Sequence, residues 1–158
     1  MQIRRAVTSD ALPVIETVQA SYKFSYRGYL PDKYLDELLI NEELLTKWRN
    51  YIQNNECYVA EKSEQIVAFM MTDSDKETKI FEICILYVNP DYQKQGIGSS
   101  ILDYIFDIKR KQSYKKCKLW TMKEGPAILF YKKNGFITTD LEKPWKFGIP
   151  IIKMIKEL

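Results

Sequence analysis

The segment Gln93–Ser99 has the composition of an anion-binding loop. Gly96 and Gly98 carry no Cβ, so a ligand can approach the main chain closely at both positions. The segment follows a run of β-forming residues, Ile85–Val88, and precedes apolar residues at helical spacing within Ile101–Ile108. A strand, a loop and a helix N-terminus in this order direct several backbone N–H groups to one place, where the helix dipole is also positive. The pattern therefore predicts a phosphate-binding loop.

The absence of histidine limits the chemistry that this chain can perform. It excludes Ser-His-Asp and Cys-His catalysis and every His-ligated metal site. A general base must be a carboxylate, a tyrosine, a lysine, a thiolate or water. Cys57, Cys84 and Cys117 are odd in number and far apart in the sequence, which favours buried, reduced thiols over a disulfide framework or a zinc site. We expect no metal.

Length and composition favour a single domain over residues 1–158. A hydrophobic content of 46% and a charged content of 28% are typical of a globular protein. The net charge of +3 is too small to indicate a nucleic-acid partner, but it is compatible with an anionic cofactor. No apolar run reaches the roughly 18 residues that a membrane span needs, and the N-terminus does not resemble a signal peptide. These features predict a cytoplasmic protein without a membrane segment.

The order of predicted elements is that of a mixed α/β domain. Strands are predicted at Gln2–Ala6, Cys57–Ala60, Ile66–Met71, Ile80–Val88, Cys117–Thr121, Phe136–Thr139 and Ile149–Ile155. Helices are predicted at Leu12–Tyr22, Pro31–Ile40, Glu42–Ile52, Ser99–Lys111 and Pro126–Gly135. The segment Tyr22–Asp32 has poor periodicity and holds four aromatic residues, so we expect a loop or a broken helix there. Its aromatic side chains either cover the core or form a wall of a binding site.

Two segments of the sequence resemble those of a known enzyme family. Gln93-Lys94-Gln95-Gly96-Ile97-Gly98 is similar to the Q/R-x-x-G-x-G/A signature of the GNAT N-acetyltransferase superfamily. Ala127–Phe136, with the sequence AILFYKKNGF, resembles the A-x-x-F-Y-x-K-x-G-F motif of the same family. The element order also fits over nearly the whole chain. The resemblance implies one GNAT-like domain, with a mixed, mostly antiparallel sheet, a central splayed strand pair and flanking helices.

The resemblance further implies that acetyl-CoA is the co-substrate and that no metal takes part. Its pyrophosphate would lie on the loop N–H groups, and its pantetheine arm would pair with the backbone at Leu86 and Val88, where this strand splays away from Trp120-Thr121. The N–H of Val88 would polarise the thioester carbonyl. The residues expected to bind acetyl-CoA are Leu86, Tyr87, Val88, Gln93, Lys94, Gln95, Gly96, Ile97, Gly98, Ser99, Glu124 and Tyr131. Glu124 stands where many family members carry Asn.

Candidate catalytic residues also follow from the resemblance. Tyr131 stands at the motif tyrosine that often protonates the departing thiolate, although a tyrosine that only packs on the cofactor is the alternative. Glu82 coincides with the general-base glutamate of some family members; the alternatives are an ordinary strand glutamate and water as the base. Tyr26, Arg27 and Tyr29 belong to a Tyr-Arg-Gly-x-Leu-Pro-Asp segment that the resemblance places near the acceptor.

The sequence therefore predicts an N-acetyltransferase that moves an acetyl group from acetyl-CoA to a primary amine by direct attack in a ternary complex. The acceptor is a small-molecule or peptide amine, without a nucleic-acid or membrane partner, and the protein is a monomer or a homodimer. The alternative is a non-catalytic acyl-CoA-binding or nucleic-acid-associated regulatory protein. Its support is a basic cluster between Lys109 and Lys118, which we expect to be a solvated helix end.

Overall fold

Seven strands form the sheet in the computed structural model, which describes residues 1–158. They are β1 (Gln2–Arg5), β2 (Glu56–Lys62), β3 (Gln65–Asp75), β4 (Ile80–Val88), β5 (Lys116–Met122), β6 (Ile137–Pro144) and β7 (Pro150–Glu157). Their order in the sheet is β1-β2-β3-β4-β5-β7-β6. β4 and β5 pair in parallel, whereas β1 with β2, β2 with β3, β5 with β7 and β6 with β7 pair antiparallel. This mixed, mostly antiparallel sheet confirms the predicted fold class.

Five α-helices flank these strands in the sequence. They are α1 (Ala11–Tyr26), α2 (Asp32–Asp36), α3 (Glu42–Asn54), α4 (Ile97–Lys111) and α5 (Ala127–Lys133). Three one-turn 3-10 segments lie at Thr8–Asp10, Pro90–Tyr92 and Lys146–Gly148. None of the helices has the length and apolar character that crossing a bilayer requires.

The helical region before β2 differs from the sequence-based prediction. α1 continues to Tyr26, so the first part of the ambiguous segment Tyr22–Asp32 is helical. The helix predicted at Pro31–Ile40 is limited to α2, because Leu35 is fully buried whereas Leu39 is 73% exposed. Without a second buried side chain, the later residues lack the packing that sustains a short helix.

The chain folds into two compact units. The N-terminal unit comprises Met1–Thr72 and Ile85–Ile105, and the C-terminal unit comprises Asp73–Cys84 and Phe106–Leu158. β4 begins in the C-terminal unit and ends in the N-terminal unit.

The core of the N-terminal unit is mainly aliphatic. Its buried residues come from α1, α3, β2 and β3: Ala11, Val14, Val18, Ile52, Cys57, Val59, Ile66 and Phe69. Ile85 and Tyr87, in the second half of β4, pack against this core. Burial of one strand face fixes the register of β4, since a slip of one residue would move every side chain to the other face. The core therefore sets the position of the loop that follows β4.

The core of the C-terminal unit contains a cluster of aromatic rings. Phe81 on β4 lies with its ring centroid 6.4 Å from that of Phe106 and 6.0 Å from that of Tyr114. The ring of Phe136 lies 6.1 Å from that of Phe106. The parallel register joins Ile80–Ile83 of β4 to residues 116–119 of β5, and it ends before Leu86, as a splayed pair requires. This register places the side chain of Glu82 opposite Lys118.

Candidate active site

The loop between β4 and α4 has the backbone of an anion-binding turn. The Asn89 side chain accepts a hydrogen bond from the Asp91 N–H at 3.0 Å and so begins the one-turn 3-10 segment. Lys94 and Gly96 then adopt left-handed φ values of 60° and 80°, and α4 begins at the next residue, Ile97. Glycine adopts a left-handed conformation at the lowest cost, so a residue with a Cβ would be strained at position 96.

Open space lies in front of the main chain at Gly96. A Cβ built on Gly96 would meet no atom within 4 Å, so the backbone is accessible there. The first turn of α4 contains no acidic residue, and the N–H groups at a helix start have no partner within the helix. Gly98 and the half-buried Ser99 lie in this turn. These features fit a diphosphate, which the N–H groups and the helix dipole would stabilise.

The side chains of the two loop glutamines are held by neighbours within the N-terminal unit. Gln93 Nε2 donates to the carbonyl oxygen of Val88 at 3.1 Å, and Gln95 Oε1 accepts from Lys62 Nζ at 2.9 Å. The side chains of both residues therefore shape the loop, and the Gln93 N–H is also used within it, since it donates to the Pro90 carbonyl oxygen at 3.3 Å. Lys94 is exposed and can contact a ligand through its side chain.

The end of β4 is held by groups on either side of the strand. Ser21 Oγ, on α1, donates to the Val88 carbonyl oxygen at 2.7 Å, and the Asn89 N–H donates to the Val67 carbonyl oxygen on β3 at 2.8 Å. Leu86 and Tyr87 precede this anchored position and are half-buried. The stretch that we expect to pair with pantetheine is thus a fixed strand end.

One of the predicted acceptor residues lies beside β4. The Tyr26 hydroxyl is 3.2 Å from the Tyr87 hydroxyl, and burial raises the pKa of Tyr26 above its ordinary value. Arg27 is instead directed to two carboxylates, with its NH1 3.1 Å from Asp32 Oδ1 and its NH2 2.8 Å from Asp36 Oδ1. The structure therefore brings Tyr26 to the predicted cofactor strand, while Arg27 ties both ends of α2 to the end of α1.

Tyr29, the third predicted acceptor residue, lies in the turn that ends α1. Its N–H donates to the Tyr26 carbonyl oxygen at 3.0 Å, and its side chain is exposed. Gly28 takes a left-handed φ of 86° in the same turn. The ring of Tyr29 is thus open to solvent or to a ligand.

Glu82 in the C-terminal unit forms an ion pair across the sheet. Its Oε2 lies 3.2 Å from Lys118 Nζ, and both side chains are partly accessible. A carboxylate in this position can accept a proton, but its partner on β5 competes for the same lone pairs.

The cysteines do not supply a thiolate base to this chemistry. Cys57 and Cys117 are buried as predicted, whereas Cys84 is exposed and so corrects the expectation of three buried thiols. Partial desolvation and the nearby carboxylates of Glu82 and Asp73 raise the pKa of Cys84 to about 11. Burial also raises the pKa of Cys117. Both thiols are consequently neutral at pH 7.

Tyr131 is nearly buried on α5 and is held by aromatic contacts. Its ring centroid lies 5.1 Å from that of Phe130 and 5.6 Å from that of Phe136. Gly135 ends the helix with a left-handed φ of 86°, the usual conformation of a helix C-terminus. The motif thus fixes the orientation of the ring through packing, and the catalytic role of its hydroxyl stays a prediction. Glu124 is exposed in the turn before α5.

The basic cluster between Lys109 and Lys118 is not a uniformly solvated surface. Lys109 has 0% relative exposure; its Nζ donates to Ser74 Oγ at 2.6 Å and lies 4.8 Å from the ring centroid of Tyr114. Lys116 and Lys118 form ion pairs with Glu157 and Glu82. The expectation of a solvated helix end is therefore wrong for Lys109, because its ammonium lies in an aromatic core. The cluster gives weaker support to a nucleic-acid partner than the sequence suggested.

A family comparison identifies the enzyme class. Residues 53–138, more than half of the chain, match the model of the acetyltransferase (GNAT) domain. This protein belongs to the GNAT acetyltransferase family. The match includes Glu82, the loop Gln93–Ser99 and Tyr131, so each predicted catalytic or cofactor-binding segment lies within the family domain.

Curated relatives of this GNAT acetyltransferase carry related names. An uncharacterized N-acetyltransferase of Methanocaldococcus jannaschii is 26% identical over 98% of this chain and 66% of its own length. The spermidine N(1)-acetyltransferase of Thermoplasma acidophilum is 26% identical over 90% of this chain and 91% of its own. The chain thus spans just under two thirds of the length of the first relative and most of the second.

Solved structures share the fold of this GNAT acetyltransferase. The PaiA N-acetyltransferase of Thermoplasma acidophilum, in complex with coenzyme A, aligns with a TM-score of 0.85 at 23% identity over 99% of this chain and 98% of its own. The ribosomal-protein-S18-alanine N-acetyltransferase of Escherichia coli aligns with a TM-score of 0.74 at 19% identity over 99% and 92%. The predicted family, the fold class and an acyltransferase that depends on acetyl-CoA are confirmed.

Two residues that hold the candidate site of this GNAT acetyltransferase had no signal in the sequence. Ser21 and Lys62 reach the β4 end and the loop from α1 and β2, across 67 and 33 residues of chain. Neither polar residue belongs to a recognisable motif, and only the tertiary fold brings it to the site.

Proposed function

We propose that this GNAT acetyltransferase moves the acetyl group of acetyl-CoA to a primary amine by direct attack of the amine within a ternary complex. The observation that carries the proposal is the loop backbone: a left-handed Gly96, open space in front of it, and an α4 start without acidic residues. The N–H groups of Gln95–Ser99 would hold the pyrophosphate. Acetyl-CoA supplies the activated acyl thioester.

The chain's own residues would orient and polarise the thioester. The backbone of Leu86–Val88 would pair with the pantetheine arm in the manner of an added strand. The Val88 N–H would donate to the thioester carbonyl oxygen, where negative charge develops during attack. Tyr131 would donate a proton to the departing thiolate, because a phenol with a pKa near ~10 is protonated at pH 7.

The incoming amine must lose a proton, since an alkylammonium has a pKa near ~10.4 and cannot attack while protonated. We assign this step to Glu82 or to water. If Glu82 accepts the proton, its ion pair with Lys118 must loosen during the reaction. Replacement Glu82→Gln keeps the size of the side chain. A loss of kcat near neutral pH that shrinks as the pH approaches the pKa of the amine would support the carboxylate, and an unchanged kcat would leave water.

The distribution of charged residues between the two units indicates which class of acceptor to test. The N-terminal unit carries 9 Lys and Arg against 12 Asp and Glu, whereas the C-terminal unit carries 15 against 9. The acidic unit also contains Tyr26, Arg27 and Tyr29, the proposed acceptor residues. Together with the name of the Thermoplasma spermidine N(1)-acetyltransferase, this favours a polyamine as the first acceptor to test. A peptide N-terminus is the second, from the name of the Escherichia coli neighbour.

Two measurements test the proposal. Isothermal titration of acetyl-CoA should show binding, and an amine panel of polyamines, peptides and amino acids should identify an acceptor by release of free coenzyme A thiol. Absence of both heat and thermal shift at millimolar acetyl-CoA would contradict the proposal. Binding without thiol release from any amine would favour the non-catalytic alternative.

A further inference from the structure

We propose that Ser21 and Gln93 are positioning residues. They hold the carbonyl of Val88, which lies in the Val88–Asn89 peptide group, and thereby direct the N–H of Val88 at the thioester carbonyl. The inference rests on the proposed function for its role in transfer. The structural part, that the two side chains hold the end of β4, stands on the geometry of the N-terminal unit alone.

Both sides of the Val88–Asn89 peptide group are held. The Val88 carbonyl oxygen accepts from Ser21 Oγ at 2.7 Å and from Gln93 Nε2 at 3.1 Å. The N–H of the same peptide group, on Asn89, donates to the Val67 carbonyl oxygen at 2.8 Å. Two donors satisfy both lone pairs of the carbonyl, and the third hydrogen bond ties the peptide to β3. The plane of this peptide group therefore has little freedom to rotate.

The direction of the Val88 N–H follows from this arrangement. In a β-strand the N–H and the C=O of one residue point to the same edge, and the next residue points to the opposite edge. The Asn89 N–H points to β3, so the N–H and C=O of Val88 point to the edge away from β3. The side chains of Ser21 and Gln93 donate to the Val88 carbonyl oxygen on this edge and thereby set the orientation of the Val88 N–H.

The hydrogen bond from Ser21 is not one that its helix requires. A serine inside a helix commonly returns its hydroxyl to a carbonyl of its own preceding turn. Ser21 is 1% exposed and instead reaches across to the end of β4. One helical turn earlier, Thr17 Oγ1 donates to the Ile66 carbonyl oxygen on β3 at 2.8 Å. The two bonds are alike in type and length and both donors are buried, but only the one from Ser21 ends at the β4 position proposed to polarise the thioester.

Thr17 therefore provides a matched control. Ser21→Ala and Thr17→Val each remove one buried hydroxyl donor from α1, so we expect similar decreases of Tm. Ser21→Ala should lower kcat roughly tenfold, because the variant loses a hydrogen bond that orients the Val88 N–H. The KM for acetyl-CoA should change less than about twofold, because the binding loop is intact. Thr17→Val should keep a kcat near that of the wild type.

Two further variants sharpen the kinetic test. Ser21→Cys retains a weak S–H donor, so its kcat should lie between those of the wild type and Ser21→Ala. The double variant Ser21→Ala/Gln93→Leu should lose more activity than the product of the single losses, because it leaves the Val88 carbonyl without either side-chain donor. Equal kcat values for Ser21→Ala and Thr17→Val would overturn the positioning role.

A spectroscopic measurement separates this inference from the identity of the acceptor. The infrared band of acetyl-CoA labelled with ¹³C at the thioester carbonyl should shift to lower frequency on binding to the wild type and to Thr17→Val. In Ser21→Ala the band should return most of the way to its position in water. An unshifted band in the bound wild type would show that the Val88 N–H does not polarise the carbonyl, and the inference would fail while acetyl-CoA binding stood.

Amide hydrogen exchange without cofactor tests the structural part by itself. The Asn89 amide should exchange roughly five to ten times faster in Ser21→Ala than in Thr17→Val, because the loss of one buried hydrogen bond loosens that peptide group. If acetyl-CoA did not bind at all, the proposed function would fail, and this exchange ratio would still decide whether Ser21 holds the strand. Equal exchange in the two variants would refute the inference.

Discussion

The N-terminal and C-terminal units contribute different kinds of chemical group to the proposed reaction. The N-terminal unit is acidic, has an aliphatic core and offers main-chain groups, namely the loop N–H groups and the end of β4. The C-terminal unit is basic, has a cluster of aromatic rings in its core and offers side chains, namely Tyr131 and Glu82. Main-chain groups persist through most substitutions, whereas a side-chain group is lost by one. We therefore expect binding to resist mutation except at glycine, and turnover to be sensitive.

The largest expected effect is on the stability of the C-terminal unit and concerns the buried Lys109. Lys109→Ala should lower the free energy of unfolding by about 3 kcal/mol, since it leaves a cavity among aromatic rings and removes one hydrogen-bond donor to Ser74. Lys111→Ala, two residues later on the exposed face, should change it by less than about 0.5 kcal/mol. Urea unfolding measures both. Similar small losses for the two variants would show that the buried ammonium contributes nothing.

Gly96→Ala tests the main-chain site. We expect acetyl-CoA affinity to fall roughly 100-fold, about 2.7 kcal/mol, because a methyl group enters the open space and the left-handed backbone becomes strained. Gly148→Ala is the control, since Gly148 also has a left-handed φ, of 75°, and no atom within 4 Å of a built Cβ. It should lose a comparable amount of stability and no affinity. Calorimetry that found the same affinity in both variants would refute the loop assignment.

Tyr131→Phe tests the side-chain contribution. The ring contacts with Phe130 and Phe136 remain, so acetyl-CoA binding should change little. The value of kcat should fall roughly tenfold, at the low end for general acid catalysis, because a thiolate leaves readily without a proton. Steady-state kinetics and calorimetry on the same preparation measure the two quantities. Parallel losses of kcat and affinity would show that the residue acts only through packing.

The smallest expected effect is the pH dependence of stability that Asp10 in the N-terminal unit contributes. Burial opposes ionisation of Asp10, but hydrogen bonds from Arg4 and from the Val7 N–H outweigh it and hold the pKa of Asp10 below its ordinary value. A depressed pKa in the folded state adds stability above the unfolded pKa, near 3.8, and this stability is lost as pH falls through the folded value.

The size of this contribution is about 1 kcal/mol, as expected for charge-assisted hydrogen bonds with partial exposure. Thermal unfolding between pH 6 and pH 3 should therefore show a steeper loss of Tm for the wild type than for Asp10→Asn. Identical pH profiles would indicate that the carboxylate is equally stabilised in the unfolded chain.

The sequence predicted those parts of the protein that local patterns encode. The run Ile80–Val88, the glycine spacing of the loop and the Tyr131 motif each contain their own signal, and the strand, the loop and α5 lie where the patterns placed them. Long-range contacts carry no such signal. Nothing adjacent to Ser21 indicates that its hydroxyl meets a strand 67 residues later. The prediction for Lys109 was wrong because a run of charged residues usually lies on the solvent-exposed surface. In this protein the last turn of α4 instead places the Lys109 ammonium near the rings of Phe81 and Tyr114.

The path of the backbone through the two units has a practical consequence. The chain changes unit after Thr72, Cys84 and Ile105, and each of these positions lies inside a regular element: β3, β4 and α4. Limited digestion requires an exposed, irregular segment, so a protease finds no such segment at the three crossings. Neither half can be expressed from one uninterrupted stretch of coding sequence. Inserted domains and new termini therefore belong in exposed turns away from the crossings.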